Sequence, residues 1–256
     1  MSRPNMIIET NADQLKVKVF DTRAAMGQQA ALDVAGKMKQ LLGSQPRLRM
    51  IFAAAPSQNE VLAGLAVMDG LDWSRVTVFH MDEYIGLSGD APQAFGKFLK
   101  DRLFDRVQPD EVHIINSAGD IAQEAERYSR LLAEAPIDIV CLGIGENGHI
   151  AFNDPPFADF QDPLLVKPVE LDLECRQQQV NDGCFAGLDQ VPTHALTLTI
   201  PALSSGKHLF CSVPGPLKRE AVKQTLHGPI STACPASILR QHDDCTLYAD
   251  KDSYGV

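Results

Sequence analysis

Short runs of β-branched and apolar residues recur along the chain, and stretches with helical spacing separate them. Residues Gln14–Phe20 alternate Leu15, Val17 and Val19, the period of a strand. From Ala24 to Leu42, Gly27, Ala31, Val34, Met38 and Leu41 fall at helical spacing, with Asp21 as a cap before them and Gly43 as the stop. Arg49–Ala55 reads as a buried strand, and Ser57 followed by Glu60 has the form of a capping box that opens the next helix. The alternation continues with strands expected at 76–79, 112–115, 137–142, 195–200, 208–213 and 245–249. Helices are expected at 94–103, 121–135 and 217–226, and an irregular, proline-containing region follows residue 143. A strand that must reach a parallel neighbour needs a crossover helix, so this order predicts an α/β fold. The expected architecture is Rossmann-like, a mostly parallel sheet flanked by helices on both faces. No repeat, low-complexity tract or composition break marks a linker, so residues 1–256 are read as one domain.

Charge narrows the partners. With 23 Lys and Arg against 33 Asp and Glu, the net charge is −10, which repels nucleic acid and anionic lipid at long range. A small anion is not excluded, because a few local donors can override the mean field. No apolar stretch approaches the roughly 18 residues of a membrane span, and the N-terminal residues carry no signal-like apolar segment. The six cysteines, at 141, 175, 184, 211, 234 and 245, show no C-x-x-C or compact metal spacing, so a reducing cytoplasm is expected.

In open parallel sheets, ligands gather where strands end in loops at their carboxyl edge. That rule selects Pro56–Asn59, His80–Leu87 and Gly143–Pro156. The second segment, H-M-D-E-Y-I-G-L, sets Asp82 and Glu83 just past a strand, within reach of a ligand. In the third, Gly143, Gly145 and Gly148 match G-x-G-x-x-G, but Pro155-Pro156 prevents the long helix that a dinucleotide fingerprint requires. The loop reads instead as glycine-built backbone that aims His149 at the crevice, with Asp154 placed to orient the imidazole. His80, Asp82, His149 and Asp154 offer metal-ligand chemistry without metal-ligand spacing, so no metal is expected, and the proline pair speaks against a dinucleotide cofactor.

Three motifs, M-D-E-Y-I-G-L at 81–87, G-I-G-E-N-G-H-I-A-F-N-D-P at 143–155 and V-P-G-P-L-K at 213–218, stand in the order and spacing of glucosamine-6-phosphate deaminases. The chain resembles that family over nearly its whole length. The related 6-phosphogluconolactonases differ after the histidine, where a T-A-S-L-F-P-like stretch replaces F-N-D-P. The resemblance implies conversion of a 2-amino-2-deoxyhexose 6-phosphate and water to a ketose 6-phosphate and ammonia. It assigns ring opening to His149, supported by Asp154 and Asn147, and the C2-to-C1 proton shift to Asp82. It places Ser57, Glu83, Gly145, Gly148 and Lys218 at the substrate. A lactonase, or a sugar-phosphate sensor that has lost catalysis, is the competing reading.

The chain departs from the family pattern at three places. Asn147 and Asp154 stand where the family has aspartate and glutamate, and A-A-A-P-S-Q replaces a phosphate loop rich in Gly, Ser and Thr. The family's phosphate-gripping arginine falls near Gly183, leaving Arg176 or Arg219 to compensate for it. An anion is therefore expected between Ser57 and Lys218, held more weakly than in relatives with the full set. Family members differ in assembly, and a homo-oligomer is compatible with the resemblance.

Overall fold

The computed structural model describes residues 4–256. Eleven strands form two sheets. They are β1 (Met6–Ala12), β2 (Leu15–Phe20), β3 (Leu48–Phe52), β4 (Val76–His80), β5 (Asp82–Tyr84), β6 (Glu111–His113), β7 (Ile139–Leu142), β8 (Val166–Glu170), β9 (His194–Leu198), β10 (His208–Val213) and β11 (Cys245–Asp250). The helices are α1 (Arg23–Leu42), α2 (Asn59–Ala66), α3 (Phe95–Leu99), α4 (Asp105–Val107), α5 (Ile121–Ala133), α6 (Leu173–Asn181), α7 (Ile200–Ser204), α8 (Arg219–His227) and α9 (Lys251–Tyr254).

The main sheet has the order β1-β2-β11-β10-β7-β3-β4-β6. All its pairings are parallel except β1 with β2. Side chains that alternate along one strand enter different cores, because successive Cβ atoms point to opposite faces. Met50 and Phe52 of β3 join Met26, Val34 and Leu62 of α1 and α2 on one face. Ile51 joins Tyr128 and Leu132 of α5 and Val222 of α8 on the other. Helices therefore cover both faces, as an all-but-parallel sheet requires.

Several local expectations are revised. The cap of α1 is Thr22, not Asp21; its hydroxyl accepts from the Ala25 N–H at 3.1 Å. The Ser57–Glu60 capping box does not form. A 3₁₀ turn over Pro56–Gln58 leads into α2, Gln58 makes no capping bond, and Glu60 pairs with Arg23 instead. Residues 94–103 are helical, but α3 widens into a π turn over Lys100–Phe104. The strand expected to run to residue 200 stops at Leu198, where Thr199 caps α7. The region after residue 143 is not wholly irregular. It holds β8 and α6, and β5, β9 and β8 form a small antiparallel sheet of their own beside the main one. The six cysteines are free thiols.

Candidate active site at the sheet's switch point

The chain leaves β3 toward β4 on one side and returns through β7 toward β10 on the other, so the strand order reverses between β3 and β7. At such a point the loops after adjacent strands diverge and leave a crevice. Here the loops leave a narrow crevice of about 100 Å³ that opens to solvent. Its walls come from the loops after β3 (Ala53–Ser57), β7 (Gly143–Gly145) and β10 (Pro214, Lys218), and from Met81 and Asp82 after β4.

The loop after β7 is shaped by its glycines. A Cβ on Gly145 would lie 2.2–2.4 Å from the His149 ring, so only glycine lets that imidazole lie against the backbone. Gly143 gives the same clearance to Ser57 and Gln58, whose side-chain atoms lie 3.0–3.1 Å from where its Cβ would be. Gly148 adopts φ +83°, and a side chain there would meet Cys234 rather than the crevice. Its expected place at the substrate is therefore corrected to a turn position that builds the loop. Asn153, buried, donates to the carbonyls of Ile150 and Leu198 at 2.8 Å each and ties the loop to the small sheet.

Behind His149 stands a buried polar chain. Asp154 Oδ1 lies 2.9 Å from His149 Nδ1. Asn147 donates its amide N–H to that same oxygen at 3.0 Å, while its carbonyl accepts from the His149 backbone N–H at 3.0 Å. A carboxylate at 147 could accept from the backbone but could not donate to Asp154. The amide therefore suits a site in which the single negative charge belongs to residue 154. Burial alone would raise the Asp154 carboxyl, but His149, the Asn147 amide and the Cys175 thiol together hold it below its ordinary value. Asn147 and Asp154 do not line the crevice; they support the imidazole that does.

Asp82 projects from β5, which pairs with β9 through Asp82 and Thr197. Its approach is fixed by Tyr128, whose hydroxyl donates to the His80 carbonyl at 2.9 Å and accepts the His80 N–H at 3.0 Å. Burial, reinforced by Glu83 and Asp154, pushes the Asp82 carboxyl well above its ordinary value. Glu83 does not reach the crevice. Its carboxylate accepts the backbone N–H groups of Tyr84, Phe95 and Gly96 at 2.9–3.1 Å, pinning the start of α3. Period-2 geometry explains this correction: neighbouring residues of a strand face opposite ways. His80, fully buried, is held neutral by burial, its imidazole lowered to about 3.

Ser57 and Lys218 line the crevice as expected, Lys218 only 7% exposed and lowered by its burial. Neither proposed substitute for the missing arginine is there. Arg176 donates to the carbonyls of Leu188 and Val191, and Arg219 to that of Asp252. Arg23, at the first position of α1, lines the crevice instead. Gln178, Gln179 and Asp182 of the α6 region also line it. Sequence reasoning missed all four. The one available signal was D-L-E-C, an acidic residue at a helix start, and Asp172 does cap α6 by accepting the Cys175 N–H at 2.7 Å.

Among the described residues, His149, Asp154 and Cys175 bring their donor atoms within 4.8 Å of one another. Asp154 engages His149 within that group and Asn147 beyond it, while His80 and Asp82 lie outside the group.

Residues 21–164 match the family model described as glucosamine-6-phosphate isomerases/6-phosphogluconolactonase. The chain is 38% identical over 187 residues to a glucosamine-6-phosphate deaminase of Bacillus thuringiensis (strain Al Hakam), covering 73% of this chain and 70% of that one. The chain belongs to this family. Among solved structures, a monomeric glucosamine-6-phosphate deaminase of the NagB superfamily superposes with a TM-score of 0.84 at 31% identity, over 93% of this chain and 98% of that one. The 6-phosphogluconolactonase of Thermotoga maritima shares the fold at TM-score 0.76 and 20% identity, over 92% and 99% of the two chains. As a member of the glucosamine-6-phosphate isomerase family the protein is an enzyme of carbohydrate metabolism. Among the described residues, no helix is long and apolar enough to cross a membrane.

Proposed function

We propose that the protein is an isomerising deaminase that converts glucosamine 6-phosphate and water to fructose 6-phosphate and ammonia. The observation that carries this reading is the meeting of Asp82 and the Asp154-supported His149 in one crevice with Lys218. Opening the pyranose needs a group that moves a proton between the anomeric hydroxyl and the ring oxygen, and an imidazole backed by a carboxylate does this near neutral pH. Asp82 then takes the C2 proton and returns it to C1, which turns the enolamine into a C2 imine. Water adds to the imine carbon and ammonia leaves. A carboxylate with a raised pKa is a stronger base than an exposed one, and the substrate's ammonium favours its ionised form. Lys218 and Ser57 take the 6-phosphate in this reading. A cytoplasmic location suits a substrate of central sugar metabolism.

Ammonia release from glucosamine 6-phosphate, galactosamine 6-phosphate and unphosphorylated glucosamine tests the proposal. The first is expected to be the best substrate. Acid release from 6-phosphogluconolactone without ammonia from any amino sugar would replace the deaminase reading with the lactonase one.

A further inference from the structure

Among the described residues, no arginine near Gly183 lines the crevice. Gly183 has φ +73° with open space where a Cβ would be and does not line the crevice, whereas Asp182 lines it and acts on Lys218. Lys218 alone, beside that carboxylate, is a poor grip for a phosphate monoester. The first turn of α1 supplies what is missing. We propose that Arg23 is the second phosphate-binding cation and the residue that makes the enzyme specific for a phosphorylated sugar; this rests on the deaminase reading.

The position of Arg23 is built, not incidental. Helices α1 and α2 pack unusually close because their facing positions are small: a Cβ on Gly27 would lie 2.2 Å from Glu60 Cβ, and one on Gly64 would lie 2.6 Å from Ala31 Cβ. That approach brings Glu60 under the first turn of α1, where its carboxylate accepts Arg23 Nε–H at 2.6 Å. A second guanidinium nitrogen, Nη2, donates to the Pro56 carbonyl, in the turn that carries Ser57. The two anchors tie the guanidinium to α2 through Glu60 and to the A-A-A-P-S loop through Pro56. A guanidinium has five N–H donors, so three are left without a protein acceptor on a side chain that is 39% exposed and faces the crevice. Glu60 offsets much of the arginine's bulk charge, so its contribution is directional: fixed donors that match the oxygens of a phosphate. The short Ala-Pro loop, poor in hydroxyls, is then no defect, because the donors a Ser/Thr-rich loop would supply come from α1.

Arg23→Lys keeps a cation for Glu60, and hence the α1–α2 contact, but surrenders the spare N–H groups. Arg23→Ala removes both. Arg23→Ala is expected to raise KM for glucosamine 6-phosphate about tenfold and Arg23→Lys severalfold, in line with the loss of a charge-assisted hydrogen bond. KM for unphosphorylated glucosamine should move less than threefold in either. Inorganic phosphate, used as a competitive inhibitor and as a calorimetric titrant of the intact protein, should bind both variants more weakly than wild type. An Arg23→Lys enzyme with wild-type KM and wild-type phosphate affinity overturns the inference, as does an equal KM rise for both sugars. If wild type releases no ammonia from either sugar, the deaminase reading falls instead. Phosphate titration then still decides whether Arg23 binds the anion.

Discussion

Helices α5 and α6 are similar in kind but opposite in what they bury. The inner face of α5 carries Tyr128 and Leu132 into the core beside one buried carboxylate, Glu124, which pairs with Arg127, and its outer face carries charge such as Arg130 and Glu126. The inner face of α6 carries Cys175, Gln178 and Gln179. The first pattern is that of a helix whose place is secured by removing apolar surface from water. The second buries polar groups that must each find a partner: Gln179 accepts the Tyr84 hydroxyl at 2.7 Å, and Gln178 accepts the Glu146 N–H at 2.8 Å. A helix of that kind contributes less to stability and more to the wall of a crevice. The same contrast separates β3, apolar along its buried length, from β5, where Asp82 and Glu83 are buried beside Tyr84.

The largest expected effect tests the crevice side. Asp82→Asn should lower kcat for ammonia release by about 10²–10⁴ while substrate still binds, the usual scale for loss of a proton-transfer group; near-normal turnover would remove Asp82 from the mechanism. On the core side, Leu132→Ala should lower unfolding free energy by about 2–5 kcal/mol in a denaturant titration, with kcat/KM at permissive temperature close to wild type. Glu83→Gln sharpens the boundary between the two. An amide cannot accept as well as a carboxylate from three backbone N–H groups. A loss of about 1–3 kcal/mol of stability is therefore expected, in place of the substrate contact the resemblance implied. The smallest effect belongs to Asp182→Asn. Removing the carboxylate that acts on Lys218 should lower KM for the phosphorylated sugar a few-fold, and a rise would mean that Asp182 binds substrate directly.

This contrast also explains what could be read in the chain. Strands β2, β3, β4, β7, β10 and β11 and helices α1, α5 and α8 announce themselves because their buried faces are apolar at periods of 2 or 3.6. Asp82, His149 and Ser57 were legible because strand ends of a parallel sheet point to one edge; the motif resemblance reinforced them and alone pointed to Lys218. Helix α6 was illegible because its buried positions are glutamines and a cysteine, which give no hydrophobic period. Edge strand β1 is mostly exposed and alternates weakly. Arg23 was hidden for another reason: its place depends on the Gly27–Glu60 approach, a contact between residues far apart in sequence. The pairing of Asn147 with Asp154 looked like a lost carboxylate in one dimension and is a donor–acceptor match in three.

The central claim is that the crevice side holds buried charge at the expense of stability, with Asp82 as the sharpest case. Its folded-state carboxyl is raised well above the ordinary 3.8, so the stability tied to its protonated form is complete below that pH. That stability is lost as pH rises through the folded value, whereas an asparagine is indifferent to pH. The decisive measurement is Tm for wild type and Asp82→Asn across pH 4 to 8. The account predicts that the variant melts higher at neutral pH, with the gap closing toward pH 4. A variant that melts at or below the wild-type temperature throughout that range would contradict it.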